Sequence, residues 1–415
     1  MSIEPWINWQ FHKTPGLIDP RASFTRATVG RATNRIGLLA AKPANAARFH
    51  FNPITGVSEG LLVEAQRTNL WLWAADFDNV AWTKTNLTVT ANSTAAPDGT
   101  TTADTLAATG ADGDVAQAVT IVAGRGVAVS VYAKANASSF LRLRLNDGTN
   151  TVECWFNLAA GTVGANTAGA GTLLFSQKTI VADPNGFWRC SLEVTSTTVT
   201  TVTGSAGPAA ANSTAPANAD SIFAWGAQLE AEATLTNATS FIPTTSATVT
   251  RNADNLVLPV TAAQVPLDRG TMVFEWTQRS VPAVTGGASL VFGGIANTFA
   301  NTIYISRHGS TALGVTYISN SVGGNSVSRP CLYTPGVTYR FGVTWQSGRL
   351  AICIDGGTIT STTVNIVPLI SVARICVGNS PWSISNTGGS NMVHRAFVYA
   401  PVTASDALLQ QLTAP

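Results

Sequence analysis

The stretch "GFWRCSLEVTSTT", residues 186–198, changes polarity at almost every step. Trp188, Cys190, Leu192 and Val194 form one row, and Phe187, Arg189, Ser191 and Glu193 form the other. Successive side chains of an extended chain point to opposite faces, so the wholly apolar first row predicts a strand with that row on a core. The two-residue period recurs in "SFLRLRLNDGTNTVECWFNLAAG", folded about an Asp-Gly turn, and in "SIFAWGAQLEA". "DVAQAVTIVAGRGVAVSVYAKAN" reads as two strands about a Gly-Arg-Gly hairpin. A chain that alternates this way between turn signals is committed to sheets. Its filler of Ala, Thr, Gly, Ser, Asn and Val suits pleated surfaces, and 36 Gly and 19 Pro punctuate turns.

The 415 residues imply two or three domains. From Val89 to Leu229 the strands number about eight to ten, as in a two-sheet jelly roll. Ahead of them Trp71, Trp73, Phe77 and Trp82 cluster closely enough to predict a core. Residues 257–415 restart the pattern; "TYRFGVTWQSGRLAICIDGG" folds about Gln346–Gly348, Trp345 is expected in the core, and Ser405 is placed to cap one short helix. Residues 1–60 are irregular, with short strands expected at Ser23–Ala27, Gly37–Ala40 and Arg48–Phe51 and a turn at "NPITG". The expected architecture is all-β: an irregular β-rich N-terminal segment, 1–60, then two consecutive antiparallel β-sandwiches, 61–250 and 257–415. Pro243 ends the first sandwich, and Thr244–Asn255 is the connector.

Charge and cysteine usage exclude several classes. The net charge of +2 is too small to imply nucleic-acid binding. Residues 1–60 carry seven Lys/Arg against three acids, and 61–250 carry eight against fourteen. A basic arm beside an acidic module suits docking between protomers. Cys154, Cys190, Cys331, Cys353 and Cys376 include no CxxC pair and are expected as small buried hydrophobes, as in a protein folded in a reducing cytosol. Residues 1–20 lack the apolar core of a signal peptide, and no apolar run reaches the ~18 residues of a membrane span.

Several phrases, in this order and spacing, resemble a modular β-rich region of tailed-phage fibre and head-spike proteins: "SFTRAT", "RFHFNPITGVSEGLLVEAQRTNL", "PDGTTTADTL", "GFWRCSLEV" and "FAWGAQLEAEATLTNATSFIPTT". The resemblance covers residues 18–253, where the middle part is similar to a carbohydrate-binding-module jelly roll. "TYRFGVTWQSGRLAICIDGG" and "ICVGN" followed by "HRAFVYAPVTASDALLQQL" resemble a concanavalin A-like or laminin G-like sandwich over residues 265–413. The resemblance implies a virion protein, a tail fibre or head spike, assembled in the host cytoplasm and exposed on the particle exterior. It implies a homo-oligomer, with a trimer favoured and a pentamer possible, attached to other virion proteins through the N-terminal segment. The expected function is adhesion to host-surface polysaccharide; the alternatives are a decoration or adaptor protein without glycan binding and a polysaccharide depolymerase.

No enzyme motif is legible. Glu275 has no acidic partner at the strand offsets a paired-carboxylate glycosidase needs, although Asp183, Glu193 or Glu230 could still meet across an interface. His12, His50, His308 and His394 lack ligand spacing, and Asp112 with Asp114 makes only half a calcium loop. Neither a metal nor a cofactor is expected. Sugar recognition needs an aromatic face for the C–H side of the ring and planar polar groups for its hydroxyls. Tyr304, Arg307 and His308 in "YISRHGS", and Asn379, Trp382 and Asn386 in "GNSPWSISNTGGSNM", are the candidate binding residues.

Overall fold

The computed structural model describes the chain apart from residues 1–3, 196–197, 233–237, 262, 267, 278–290, 309–311, 320–321, 332–333, 335, 365–371 and 381–390, and apart from the side chains at 308, 319 and 322–324. It is an all-β protein of antiparallel sheets with, among the described residues, one short α-helix, Asp406–Thr413. Two sandwiches are present, but they do not follow one another along the chain. One is inserted into the other.

The outer sandwich pairs an eight-stranded and a seven-stranded sheet. The first runs, edge to edge, Thr360–Thr362, Arg349–Ile354, Thr338–Gln346, Gly270–Thr277, Met392–Ala400, Ser58–Val63 and Arg48–Phe51, with Ile7–Trp9 also paired to Met392–Ala400. The second runs Ser23–Thr25, Asn255–Pro259, Arg374–Val377, Val291–Thr298, Asn301–His308, Ala312–Ser319 and Val322–Pro330. The strands Ile7–Trp9, Ser23–Thr25, Arg48–Phe51 and Ser58–Val63 are therefore part of the C-terminal sandwich, which corrects the expectation of a separate N-terminal segment. The physical reason is length. Strands of three to six residues cannot bury a core alone, whereas Ile7, Trp9, Phe11, Phe49, Leu61 and Val63 join the core formed by Phe274, Trp276, Phe341 and Phe397. Each such aliphatic or phenyl side chain buried contributes about 1.5–3 kcal/mol.

Gly60 shows how tightly the two ends of the chain are joined. Its φ is +129°, and a Cβ there would stand 2.2 Å from the carbonyl oxygen of His394 on the neighbouring strand. Only glycine permits that conformation and that approach together.

The inserted sandwich has a seven-stranded sheet, Gly169–Ala170, Leu173–Ala182, Trp188–Thr195, Gly126–Ala135, Ser221–Glu232, Ala103–Ala108 and Leu87–Thr94. Facing it is a six-stranded sheet, Thr162–Asn166, Thr151–Asn157, Phe140–Asn146, Thr201–Ala209, Asp114–Thr120 and Thr83–Thr85. Trp71, Phe77 and Trp82 are buried between them, as the aromatic cluster predicts. The Asp-Gly turn makes a true hairpin, Phe140–Asn146 with Thr151–Asn157. The Gly-Arg-Gly segment does not. Asp114–Thr120 pairs with Thr201–Ala209 while Gly126–Ala135 lies in the opposite sheet, so the segment arches across the sandwich.

The chain enters and leaves the insert through one short ladder, Arg67–Asn69 with Val249–Arg251, where the hydroxyls of Thr68 and Thr250 lie 2.8 Å apart. The connector expected over Thr244–Asn255 thus contains a strand, Val249–Arg251, and ends where Asn255–Pro259 begins. Elsewhere, Trp345 is buried in the core, Ser405 accepts a hydrogen bond from the Leu408 amide at the helix start, and all five cysteines are free and buried.

The opening strand carries a second correction. Cys190, Leu192 and Val194 are buried as expected, but so are Phe187, Ser191 and Glu193 on the other row. That face is covered: Phe241 from the returning segment and Leu39 from the N-terminal hairpin Gly30–Thr33/Leu39–Lys42 build a small second core with Tyr132, Phe187 and Trp225.

Candidate functional site

Where the insert meets the outer sandwich, five charged side chains are buried together. Arg26 and Arg48 come from the N-terminal strands, Glu64 from the way into the insert, and Arg251 and Asp254 from the way out; none is more than 3% exposed. Asp254 receives Arg26 at 2.9 Å and also Arg48, and its other hydrogen bond comes from the Glu64 amide at 2.9 Å. Glu64 receives Arg48 at 2.7 Å, Arg251 at 3.4 Å, and both the amide and hydroxyl of Ser240 at 2.8 and 2.6 Å. Burial pushes the Glu64 carboxyl up, but Arg251, Arg48 and Ser240 outweigh it and hold the group well below the usual carboxylate range. Every carboxylate here is engaged by arginine and shut off from solvent. The cluster is a joint, not a reaction centre.

Two buried acids lie inside the insert. Glu193 and Glu230 both stand opposite Ala128, one strand to either side, at the same register. Burial raises both; Glu193 is pushed up to about 7. Glu193 accepts from the Gln177 amide and from the Ala238 backbone, and Glu230 from Thr239, so the segment returning past them is tied to the acids and covers them. Neither is reached by solvent. Asp183, which the sequence groups with them, lies elsewhere.

Asp76, Asp78 and Asp104 form the acidic group, among the described residues, that could hold a metal ion, with one oxygen of each within 4.8 Å of the others. Hard carboxylate donors of this kind suit a divalent cation such as calcium. Asp104 is fixed by the Phe77 and Asn92 amides, and Lys84 donates to the nearby Asp78 carbonyl. A hydrogen bond with Asp78, then burial, raises Asp76 to about 6. The half calcium loop noted in the sequence has a different role. Asp112 and Asp114 receive Arg142 and Arg144 at 2.7 and 3.2 Å.

The candidate rim residues separate. On Asn301–His308, Arg307 shares the inward row of Ile303 and Ile305 and is 1% exposed, whereas Tyr304 is half-buried on the opposite row. Asn379 is 2% exposed; its amide donates to Asn255 and its oxygen accepts from the Ser380 backbone. Arg307 and Asn379 are therefore enclosed and present nothing at the rim. The His308 side chain and residues Trp382 and Asn386 lie outside the described residues.

Among the described residues, two concavities with polar lining draw on the N-terminal residues. A groove of about 280 Å³ crosses the outer face of the eight-stranded sheet, between the N-terminal arm, with Asn8, Gln10 and Lys13, and the end of the helix at Leu412. Glu275 sits in it, engaged at 2.7 Å by both Arg340 and Arg395; burial raises its carboxyl, but the two arginines outweigh burial and lower it. The second, of about 390 Å³, lies between the sandwiches. His50, Asn52 and Glu59 line it from the N-terminal strands, Ile180, Val181 and Asp183 from the edge of the insert, and Thr277 and Gly336 from the outer sandwich. The Glu59 carboxylate accepts from Asn52 at 3.3 Å and lies 3.6 Å from the His50 ring. Nothing in the local pattern of these segments marks them, because they meet only through the insertion.

No protein-family model matches the chain, and no curated protein matches it. Among solved structures it is similar to the CBM40 domain of the Ruminococcus gnavus IT-sialidase bound to α2,3-sialyllactose, at 14% identity and a TM-score of 0.29, over 36% of this chain and 84% of that one. It is similar to the NanB sialidase of Streptococcus pneumoniae at 12% identity and a TM-score of 0.31, over 38% of this chain and 26% of that one. A heptameric SAP-like pentraxin of Limulus polyphemus matches at 11% identity and a TM-score of 0.26, over 35% of this chain and 69% of that one. All three scores are low, and they assign neither ligand nor ancestry to this chain.

Proposed function

We propose that the protein is a non-catalytic, glycan-binding component of a tailed-phage particle, a fibre or spike displayed on its exterior as a homo-oligomer. The observation that carries this reading is where the fibre-like phrases fall in space. "SFTRAT" supplies Arg26, "RFHFNPITGVSEGLLVEAQRTNL" supplies Arg48 and Glu64, and "FAWGAQLEAEATLTNATSFIPTT" supplies Ser240. Phrases whose residues bond directly across as many as 192 positions thus build one buried joint. Three of the five scattered phrases meet in one structural feature, which supports a shared architecture rather than chance composition.

Docking to other chains is supported by apolar side chains on two touching loops. Ile36, Ile54 and Val57 are 77%, 77% and 63% exposed, and a Cβ on Gly37 would meet the Pro53 carbonyl. Such a patch suits a protein neighbour. The non-catalytic reading is supported by the enclosure of Glu193 and Glu230 and by the arginine pairing of Glu275.

Labelled protein should bind host cells and isolated surface polysaccharide, lose that binding when the polysaccharide is oxidised with periodate, and release no reducing ends. Binding that survives periodate would sink the glycan reading, and steady release of reducing ends would make the protein a depolymerase. Light scattering should give a closed oligomer.

A further inference from the structure

The geometry points to the cleft between the sandwiches as a saccharide subsite that takes neutral sugars and rejects acidic ones; this rests on the glycan-binding reading above. Its volume of about 390 Å³ exceeds that of the sheet-face groove and falls in the range of roughly 300–1,000 Å³ usual for small-ligand sites. The lining divides by chemistry. Val181, 36% exposed, gives an aliphatic wall against which the C–H face of a pyranose loses water, while its neighbour Ile180 turns toward the insert's core and closes the wall from behind. Across the cleft from that wall stand Glu59 and Asn52 of the N-terminal strands, and Asp183 lies beside it on the insert's own edge; carboxylates and an amide of this kind accept from or share hydrogen bonds with ring hydroxyls.

Charge sets the class. The described lining holds two carboxylates and no lysine or arginine, so a carboxylated or sulfated sugar meets like charge at close range. The sheet-face groove, lined by Lys13 and Arg340, lacks this bias. The cleft also has a structural logic. Its walls come from both sandwiches, and the buried arginine–carboxylate joint keeps them from moving apart.

The test uses the full-length protein on an array of neutral glucose, galactose and N-acetylglucosamine oligosaccharides beside uronic-acid and sialic-acid oligosaccharides. Binding to neutral sugars is expected to dominate. Val181→Trp, which fills the cleft, and the pair Glu59→Gln with Asp183→Asn are each expected to weaken it about tenfold or more, the loss of one charge-assisted hydrogen bond or its equivalent, with an unchanged melting temperature. Because Val181→Trp could disturb the fold, Glu59→Lys serves as a surface variant and should shift preference toward acidic sugars. Dominant binding of acidic sugars overturns the inference. So does neutral-sugar binding that ignores the cleft variants, including the case in which Trp382→Ala abolishes it; glycan adhesion then stands and only the subsite falls. Failure of the protein to bind any glycan overturns both.

Discussion

Asp254 is the residue on which the joint depends, since it receives Arg26 and Arg48 and fixes the Glu64 backbone, all without solvent. Asp254→Ala leaves three buried arginines facing a single acid. Denaturant unfolding should show a loss of about 3–5 kcal/mol, the usual cost of breaking a buried pair from one side, and a loss under 1 kcal/mol would show the cluster to be wet. Glu193 predicts a pH dependence of the opposite kind to an ion-paired acid. Its carboxyl rises from 4.5 to about 7 on folding because burial disfavours the charge. Folding therefore takes up a proton between those values, so the contribution is fully present below pH 4.5 and is lost as pH rises through about 7. Glu193→Gln should match the wild type near pH 4 and exceed its stability at pH 8, as read from melting temperatures across pH. Neither role is legible locally. Glu193 alternates like a solvent-facing residue, and Arg48 and Asp254 look like ordinary scattered surface charge; Glu193 is covered by the Ala238 segment 45 positions on, and Asp254 meets Glu64 and Arg48 across 190 and 206 positions. The burial of the cysteines and of Trp71, Trp82 and Trp345 is legible, because an apolar side chain in an alternating run has only one favourable side, whereas Trp188 on the expected core row is only half-buried.

At the scale of the strand, the sequence discloses what is local. The Asp-Gly hairpin, the hairpin closing at Ser347–Gly348 and the helix cap at Ser405 all follow from turn and capping chemistry within a few residues. The arch at Gly124–Gly126 was misread as a hairpin because glycine permits either turn, and only the partner strands distinguish them. The N-terminal strands were seen but not assigned, since a three-residue strand carries no information about its partner. Of the candidate site residues, Arg307 follows from period two once its strand is drawn, yet its enclosure depends on the facing sheet. Gly60 offers the test at this scale. Gly60→Ala places a methyl against the His394 carbonyl and forbids the positive φ, so Ser58–Val63 cannot lie flush on Met392–Ala400. A loss of about 1–3 kcal/mol is expected, with faster amide exchange confined to Leu61–Val63 and Met392–His394. Unchanged exchange there would mean that the two strands tolerate separation.

For the whole molecule, insertion makes sequence order a poor guide to domain limits. The insert has its own two-sheet core, whereas the outer sandwich draws Ile7, Trp9, Phe11, Phe49, Leu61 and Val63 from a segment that precedes the insert. Without that segment, the strand Met392–Ala400 loses both Ile7–Trp9 and Ser58–Val63 and becomes an exposed apolar edge. A fragment of residues 257–415 should therefore show no cooperative urea transition by tryptophan fluorescence, although it holds most of the outer sandwich's residues. The chain ends of the insert meet at the Thr68–Thr250 contact, so joining 1–68 to 250–415 through a short glycine turn should restore the transition, at reduced midpoint because Ser240 no longer satisfies Glu64. That bridged protein keeps His50, Asn52 and Glu59 but lacks Ile180, Val181 and Asp183. It should fold and yet fail to hold neutral sugars, which separates the stability of the outer sandwich from recognition in the cleft. A cooperative transition in 257–415 alone would show that the N-terminal strands decorate the sandwich rather than complete it.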